Sequence, residues 1–176
     1  MRLRFLLLSL LVSLSGCVTI PDSYAPPIQR KPLDIIEPSG AKFFLRMGEA
    51  ITSNNIVGDI SESIESGSWR WTKRKPTMRF QLKHTDKQKF KADLSIAGLT
   101  FKETGPVTIT FVVNEHELAK VTYDKAGHQP FEKDVPAEWL HAVGDNIVSM
   151  EIDKMWTSPS DGAQLGYILA SAGFLE

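Results

Sequence analysis

Apolar and polar side chains alternate with a period of two through most of the chain beyond residue 70. Val107, Ile109, Phe111 and Val113 alternate with Thr108 and Thr110, and Met78, Phe80 and Leu82 alternate with Arg79, Gln81 and Lys83. Val148, Met150 and Ile152 alternate with Ser149, Glu151 and Asp153, while Phe90, Ala92, Leu94 and Ile96 form a fourth run. Successive side chains of a strand point to opposite faces, so each run predicts a strand with one buried face. Leu165, Tyr167 and Leu169 predict a final strand, and apolar Ile168 and Ala170 on its other face give it a central place in a sheet.

Turn-forming residues separate these runs: Gly98, Gly105 with Pro106, Asn114 with Glu115, Gly127, and Gly144 to Asn146. Many short strands with turns between them predict an all-β fold, an antiparallel sandwich. One short helical turn is expected from Pro136 to Val143, with proline early and Gly144 just past the end. Between Ala41 and Ile64 the pattern is ambiguous, since Phe43, Phe44, Met47 and Ile51 fit a helical turn or a strand.

The first residues follow another rule. Arg2 and Arg4 precede an apolar run from Phe5 to Leu14 that is too short to span a bilayer, as in an export signal. Leu14, Ser15, Gly16 and Cys17 then resemble the lipobox of bacterial lipoproteins, in which small residues fit the signal peptidase and the cysteine thiol accepts diacylglycerol. Cys17 is the only cysteine in the chain, so no internal disulfide competes for it. The resemblance implies a signal peptide over 1–16 and a mature chain beginning at an acylated Cys17, with several acyl chains for stable anchoring. Val18 follows the cysteine where inner-membrane lipoproteins carry aspartate, which implies the periplasmic face of the outer membrane. Pro21, Pro26, Pro27, Pro32 and Pro38 make 17–39 an extended tether, leaving 40–176 as one folded domain.

Charge narrows the classes of partner. The whole chain carries a net charge of −1, and removing Arg2 and Arg4 leaves 18 basic against 21 acidic residues, a net of −3. Nucleic-acid affinity comes largely from excess positive charge, so no nucleic acid partner is expected. Lys73, Arg74 and Lys75 form the only basic run, and three charges beside Pro76 read as a solvated loop.

A second resemblance covers nearly all of the folded region. The run Glu65, Ser66, Gly67, Ser68, Trp69, Arg70, Trp71 and Thr72 resembles a signature of small galactose-binding-like jelly-roll domains, which often accompany enzymes of bacterial surface polysaccharides. Val113, Asn114 and Leu118 are similar to that family's hairpin around an exposed asparagine. Val135, Pro136, Trp139, Leu140 and Asn146 precede a late strand, and Ser158, Pro159, Asp161, Leu165 and Gly166 resemble its closing motif. Two positions depart from the family pattern: Glu115 stands where glycine is usual, and Ala163 stands where an arginine would face Asp161. The resemblance implies a jelly-roll-like sandwich used for binding, and it permits a structural calcium held by loop carboxylates such as Asp59 or Asp161.

Candidate ligand-binding residues are Trp69, Trp71, Trp156 and Asp161. Trp69 and Trp71 are two apart, so on a strand they share a face. They offer either a platform for the C–H face of a sugar ring or core filling with bonded indole N–H groups. Trp156 lies in a loop segment beside Ser158 and Pro159, and Trp139 is expected to pin the helical turn to the sheet. His84, His116, His128 and His141 show no metal-ligand spacing, and no cofactor or transition metal is expected. His116 with Glu117 lacks the second histidine of a zincin helix, and neither a nucleophile elbow nor a phosphate loop occurs. Carboxylate pairs for glycoside hydrolysis need only meet in space, so no spacing tests for them. The expectation is a lipid-anchored, non-catalytic envelope module that binds a glycan or a protein partner. The alternatives are an accessory subunit of an envelope polysaccharide or secretion complex, and a cell-wall hydrolase or esterase.

Overall fold

Strands form where the alternation is cleanest. The computed structural model describes residues 43–176, and the export signal, Cys17 and the proline-rich segment lie outside the described residues. Eleven strands follow one another: β1 (Phe44–Arg46), β2 (Ile56–Ile60), β3 (Arg70–Phe80), β4 (Lys89–Ile96), β5 (Val107–Val113), β6 (His116–Tyr123), β7 (Gly127–Asp134), β8 (Asn146–Ile152), β9 (Trp156–Thr157), β10 (Gln164–Leu165) and β11 (Ile168–Leu175). All pairings are antiparallel, as expected.

One layer runs β2-β3-β8-β5-β6, and the other places β11 between β3 and β4, with β7 beyond β4 and β1 also pairing β11. β3 belongs to both layers. Its Arg70 and Trp71 pair with Leu169 and Ile168 of β11, whereas its Thr77 to Phe80 pair with β8. Pro76 cannot donate to a ladder, and it falls in the stretch where β3 crosses from one layer to the other. Rings close the gap between layers: Phe111 of β5 stacks on Phe131 of β7 with centroids 3.7 Å apart, and Phe80 meets Phe90 and Phe174 edge to face. This is an antiparallel β-sandwich whose core comes from the alternating positions.

Four local expectations need correction. Lys73, Arg74 and Lys75 are exposed, as expected, but they lie within β3 and not in a loop. The one α-helix among the described residues, α1 (Gly98–Thr104), lies where Gly98 and Gly105 predict turns. Gly105, at φ +66°, ends it by donating its N–H to the Phe101 carbonyl at 2.8 Å, so the two glycines bracket a helix too short to show a period. The expected turn at 136–143 shrinks to a 3-10 turn over Ala137–Trp139. Beyond it the Asn146 amide captures the His141 backbone, accepting its N–H at 2.8 Å and donating to its carbonyl at 2.9 Å, which leaves no backbone groups there for a helix. The final strand starts at Ile168, not Leu165. Thr72 bridges the segment before it, since its hydroxyl and amide both bond the Tyr167 carbonyl and its own carbonyl accepts the Gly166 N–H. A side chain at Gly166 would lie 2.5 Å from the Lys73 carbonyl oxygen. β11 is central, as its two-sided apolar pattern implies. The ambiguous region at 41–64 resolves, among its described residues, into β1, a 3-10 turn over Ala50–Asn55, and β2.

Candidate functional site

The tryptophan-bearing run builds a closure. Ser66 at φ +48° and Gly67 at φ +67° form a two-residue reversal that returns the chain at Ser68, whose N–H bonds the Glu65 carbonyl at 3.0 Å. Trp69, just ahead of β3 in a bridge to Glu65, and Trp71 within β3 pack edge to face with centroids 5.6 Å apart. Both are half-buried, so they are neither core filling nor a bare platform. Arg70 between them points inward and is only 1% exposed. Its guanidinium donates to the carbonyls of Met47 (2.9 Å), Ser61 (3.2 Å) and Glu62 (3.0 Å) and to the Ser53 hydroxyl (3.2 Å). Burial lowers its pKa and the nearby Glu62 carboxylate opposes that shift.

A second, smaller cavity of about 480 Å³ lies beside Arg70, between Ser53, Glu62 and β2, and a different surface carries a wider groove. On the outer face of the β2-β3-β8-β5-β6 layer, Thr77, Ser149 and Val112 stand side by side in register across β3, β8 and β5. Arg79 and Ile147 form the next row, and Lys75 belongs to the row before it. The β5–β6 turn and the 137–145 loop rise at one end of these rows and enclose a groove of about 890 Å³. Val112, Ile147, Thr77 and Ser149 line it together with Trp139, His116, Glu115, Glu138 and Asp145. The His116 imidazole lies nearly parallel to the Trp139 indole, 4.8 Å between centroids at an angle of 14°.

Asn114 holds this wall in place. It is half-buried, not the exposed asparagine that the resemblance implies. Its amide nitrogen donates to the Trp139 carbonyl (2.7 Å) and to the Asn146 side chain (2.8 Å), and its amide oxygen accepts the Ile147 N–H (2.7 Å). The turn is left-handed at both central residues, with Asn114 at φ +44° and Glu115 at φ +71°. Asparagine tolerates that conformation and glutamate does so poorly, so this chain holds a carboxylate at the groove rim where glycine would be unstrained.

Charge around the groove is uneven. Three carboxylates, Glu115, Glu138 and Asp145, face one ammonium, Lys75, and two imidazoles, His116 and His141. Lys75 lies 3.8 Å from Glu151, and Asp145 accepts from Gln81 at 3.1 Å and lies 4.0 Å from Arg79. Glu115 and Glu138 have no side-chain partner among the described residues. These groups are too dispersed for an ion: no cluster of three His, Cys, Asp or Glu among the described residues can hold a metal.

The other predicted residues lie elsewhere. Trp156 is not in a loop: it opens β9, pairs with Leu165 of β10 and is half-buried. Asp161 is exposed and shapes the β9–β10 turn. Ser158 and the Ala163 N–H, the latter at 3.1 Å, stabilise its carboxylate and lower its pKa. It is therefore satisfied locally, with Ala163 at the position where the resemblance implies an arginine. Asp59, at φ +59°, accepts the Lys75 N–H at 2.8 Å across β2 and β3. Cys17 lies outside the described residues. Sequence reading missed Trp139 and His116 as groove residues because they come from segments 23 residues apart, and only the two asparagines that tie these segments together hint at the meeting.

No family model matches the sequence, and no curated protein matches it. Solved structures of similar shape include a family 35 carbohydrate binding module from an environmental isolate, with 13% identity and a TM-score of 0.46, covering 78% of this chain and 90% of that one. A family 35 carbohydrate binding module from Clostridium thermocellum gives 8% identity and a TM-score of 0.43, over 71% and 94% of the two chains. An exo-beta-1,3-galactanase from Phanerochaete chrysosporium gives 11% identity and a TM-score of 0.44, over 77% of this chain and 29% of that one. Likenesses this distant identify neither a family nor a ligand, and the chemistry of the groove has to be judged on its own residues.

Proposed function

We propose that this chain is a lipid-anchored, non-catalytic binding module of the bacterial cell envelope, and that it takes a glycan into the groove beside Trp139. The observation that carries the reading is the groove itself. It joins an apolar floor of Val112 and Ile147, an aromatic wall of Trp139 with His116, and hydroxyls of Thr77 and Ser149. A sugar ring presents an apolar C–H face and a polar edge, and this surface offers a counterpart to each. The lipobox-like run ending at Cys17 supports anchoring, with the signal over 1–16, the tether over 17–39 and the domain from 40 onward. Val18 supports the periplasmic face of the outer membrane.

The test is a pull-down of the detergent-solubilised full chain with peptidoglycan and surface polysaccharide, beside Trp139→Ala. Retention that Trp139→Ala abolishes is expected. No retention on either glycan, with one specific protein crosslinked instead, would replace this reading with that of an accessory subunit. Turnover lost on Glu138→Gln would replace it with a hydrolase. Labelled palmitate absent from Cys17 in the native host would remove the anchor.

A further inference from the structure

We infer that the groove is selective for a glycan carrying free amines, such as a de-N-acetylated amino sugar, over neutral, N-acetylated or acidic glycans; this rests on the glycan reading above. The observation is the groove's unbalanced charge combined with its shape. Its walls hold three carboxylates against one ammonium, and the structure already pairs that ammonium with Glu151 and pairs Asp145 with Arg79. Glu115 and Glu138 have no side-chain partner among the described residues, one on the β5–β6 turn and the other on the 3-10 turn that carries Trp139.

A bare cation does not fit this arrangement, because the carboxylates do not converge into a metal-holding cluster. An acidic sugar would meet like charge from both glutamates, which is unfavourable for any ligand seated in the groove. An amine-bearing ring seated against the stacked Trp139 and His116 pair meets the opposite situation: its ammonium groups face the carboxylates that line the same groove, and each can form a charge-assisted hydrogen bond. The position of Glu115 agrees with this. At φ +71° glycine would fit without strain, and the side chain found there adds negative charge to the rim.

Calorimetry on the full chain in detergent, with a glucosamine hexamer, its N-acetylated counterpart and a galacturonate oligomer as titrants, tests the inference. The expected result is binding of the amine-bearing hexamer about tenfold tighter than of the acetylated one, weakening as salt rises, with no galacturonate binding. Glu138→Gln should weaken the amine ligand roughly three- to tenfold. Glu115→Gly should do the same while raising thermal stability, a pair of effects that a purely structural role does not produce. Equal or tighter binding of the acetylated or acidic oligomer, still lost in Trp139→Ala, would overturn the amine preference and leave the groove reading standing. Failure of all three oligomers to bind, with peptidoglycan or surface polysaccharide still retained in the pull-down, would overturn the amine preference alone, and failure there too would overturn both.

Discussion

The two ends of β3 do opposite things with similar material. At its start, Trp69, Arg70 and Trp71 look like a binding motif, yet the tryptophans pack against each other and the arginine turns inward to donate four hydrogen bonds. Further along, Lys75, the last of the basic run, and Thr77 belong to no binding motif, and they line the groove with residues from β5, β8 and two connections. A conspicuous aromatic run can therefore be a device for closing a fold, while the concave surface is assembled from inconspicuous residues that only the topology brings together.

The largest expected effect falls on the closing end. Arg70→Ala would leave the carbonyls of Met47, Ser61 and Glu62 without their donor and open a cavity, costing about 3 kcal/mol or more. Urea unfolding measures this, and a cost below about 1 kcal/mol would refute the closing role. Next comes Asn114→Ala at the groove, expected to cost about 2 kcal/mol for three lost hydrogen bonds and to abolish glycan retention as the wall detaches. Retention surviving in this variant would separate the wall from the ligand.

The sharpest contrast is between tryptophans. Trp139→Ala should weaken glycan binding by about tenfold or more and, because the indole packs on the core and stacks on His116, also lower stability, so the titration is run well below its melting temperature. Trp71→Ala should leave binding intact and cost about 1 kcal/mol through the lost edge-to-face contact. If titration shows the losses reversed, the two ends of β3 have been assigned the wrong way round.

The smallest effect concerns a core hydroxyl. Burial pushes the Tyr123 phenol up to about 12, and burial, followed by the proximity of Tyr123, raises that of Tyr167. A raised phenol pKa favours the folded state below the unfolded value near 10. That contribution is lost as pH rises from about 10 through about 12, so stability should fall on that alkaline limb. The Tyr123 hydroxyl has no partner among the described residues, so Tyr123→Phe should be neutral to slightly stabilising and flatten the limb in melts scanned across pH. Tyr167 donates to the Met150 carbonyl at 3.1 Å, so Tyr167→Phe should instead cost about 1 kcal/mol.

What the chain disclosed in advance follows from how many faces each segment buries. β4, β5 and β8 have one face on the core, and their alternation is plain. β7 is an edge strand with Phe131 as its single buried residue and Pro130 inside it, so no alternation marks it. β1 has only three residues, too few for a period, and α1 lies between two glycines that read as turns. The groove was less legible still. Trp139 was expected to pin a turn, which it does, but its stacking on His116 depends on a hydrogen-bond network between Asn114 and Asn146, 32 residues apart.

The Arg70 cage has a mechanical consequence. Tension on the chain ahead of Phe44 would meet β1 first, three residues that can peel from the β11 edge one bond at a time. Unzipping would then reach Met47, whose N–H is held by the Ala170 carbonyl and whose carbonyl is held by the guanidinium rooted in β3. That rivet spreads a pull from one end of the polypeptide into the strand shared by both layers, so the sandwich resists as a whole when its terminal ribbon yields.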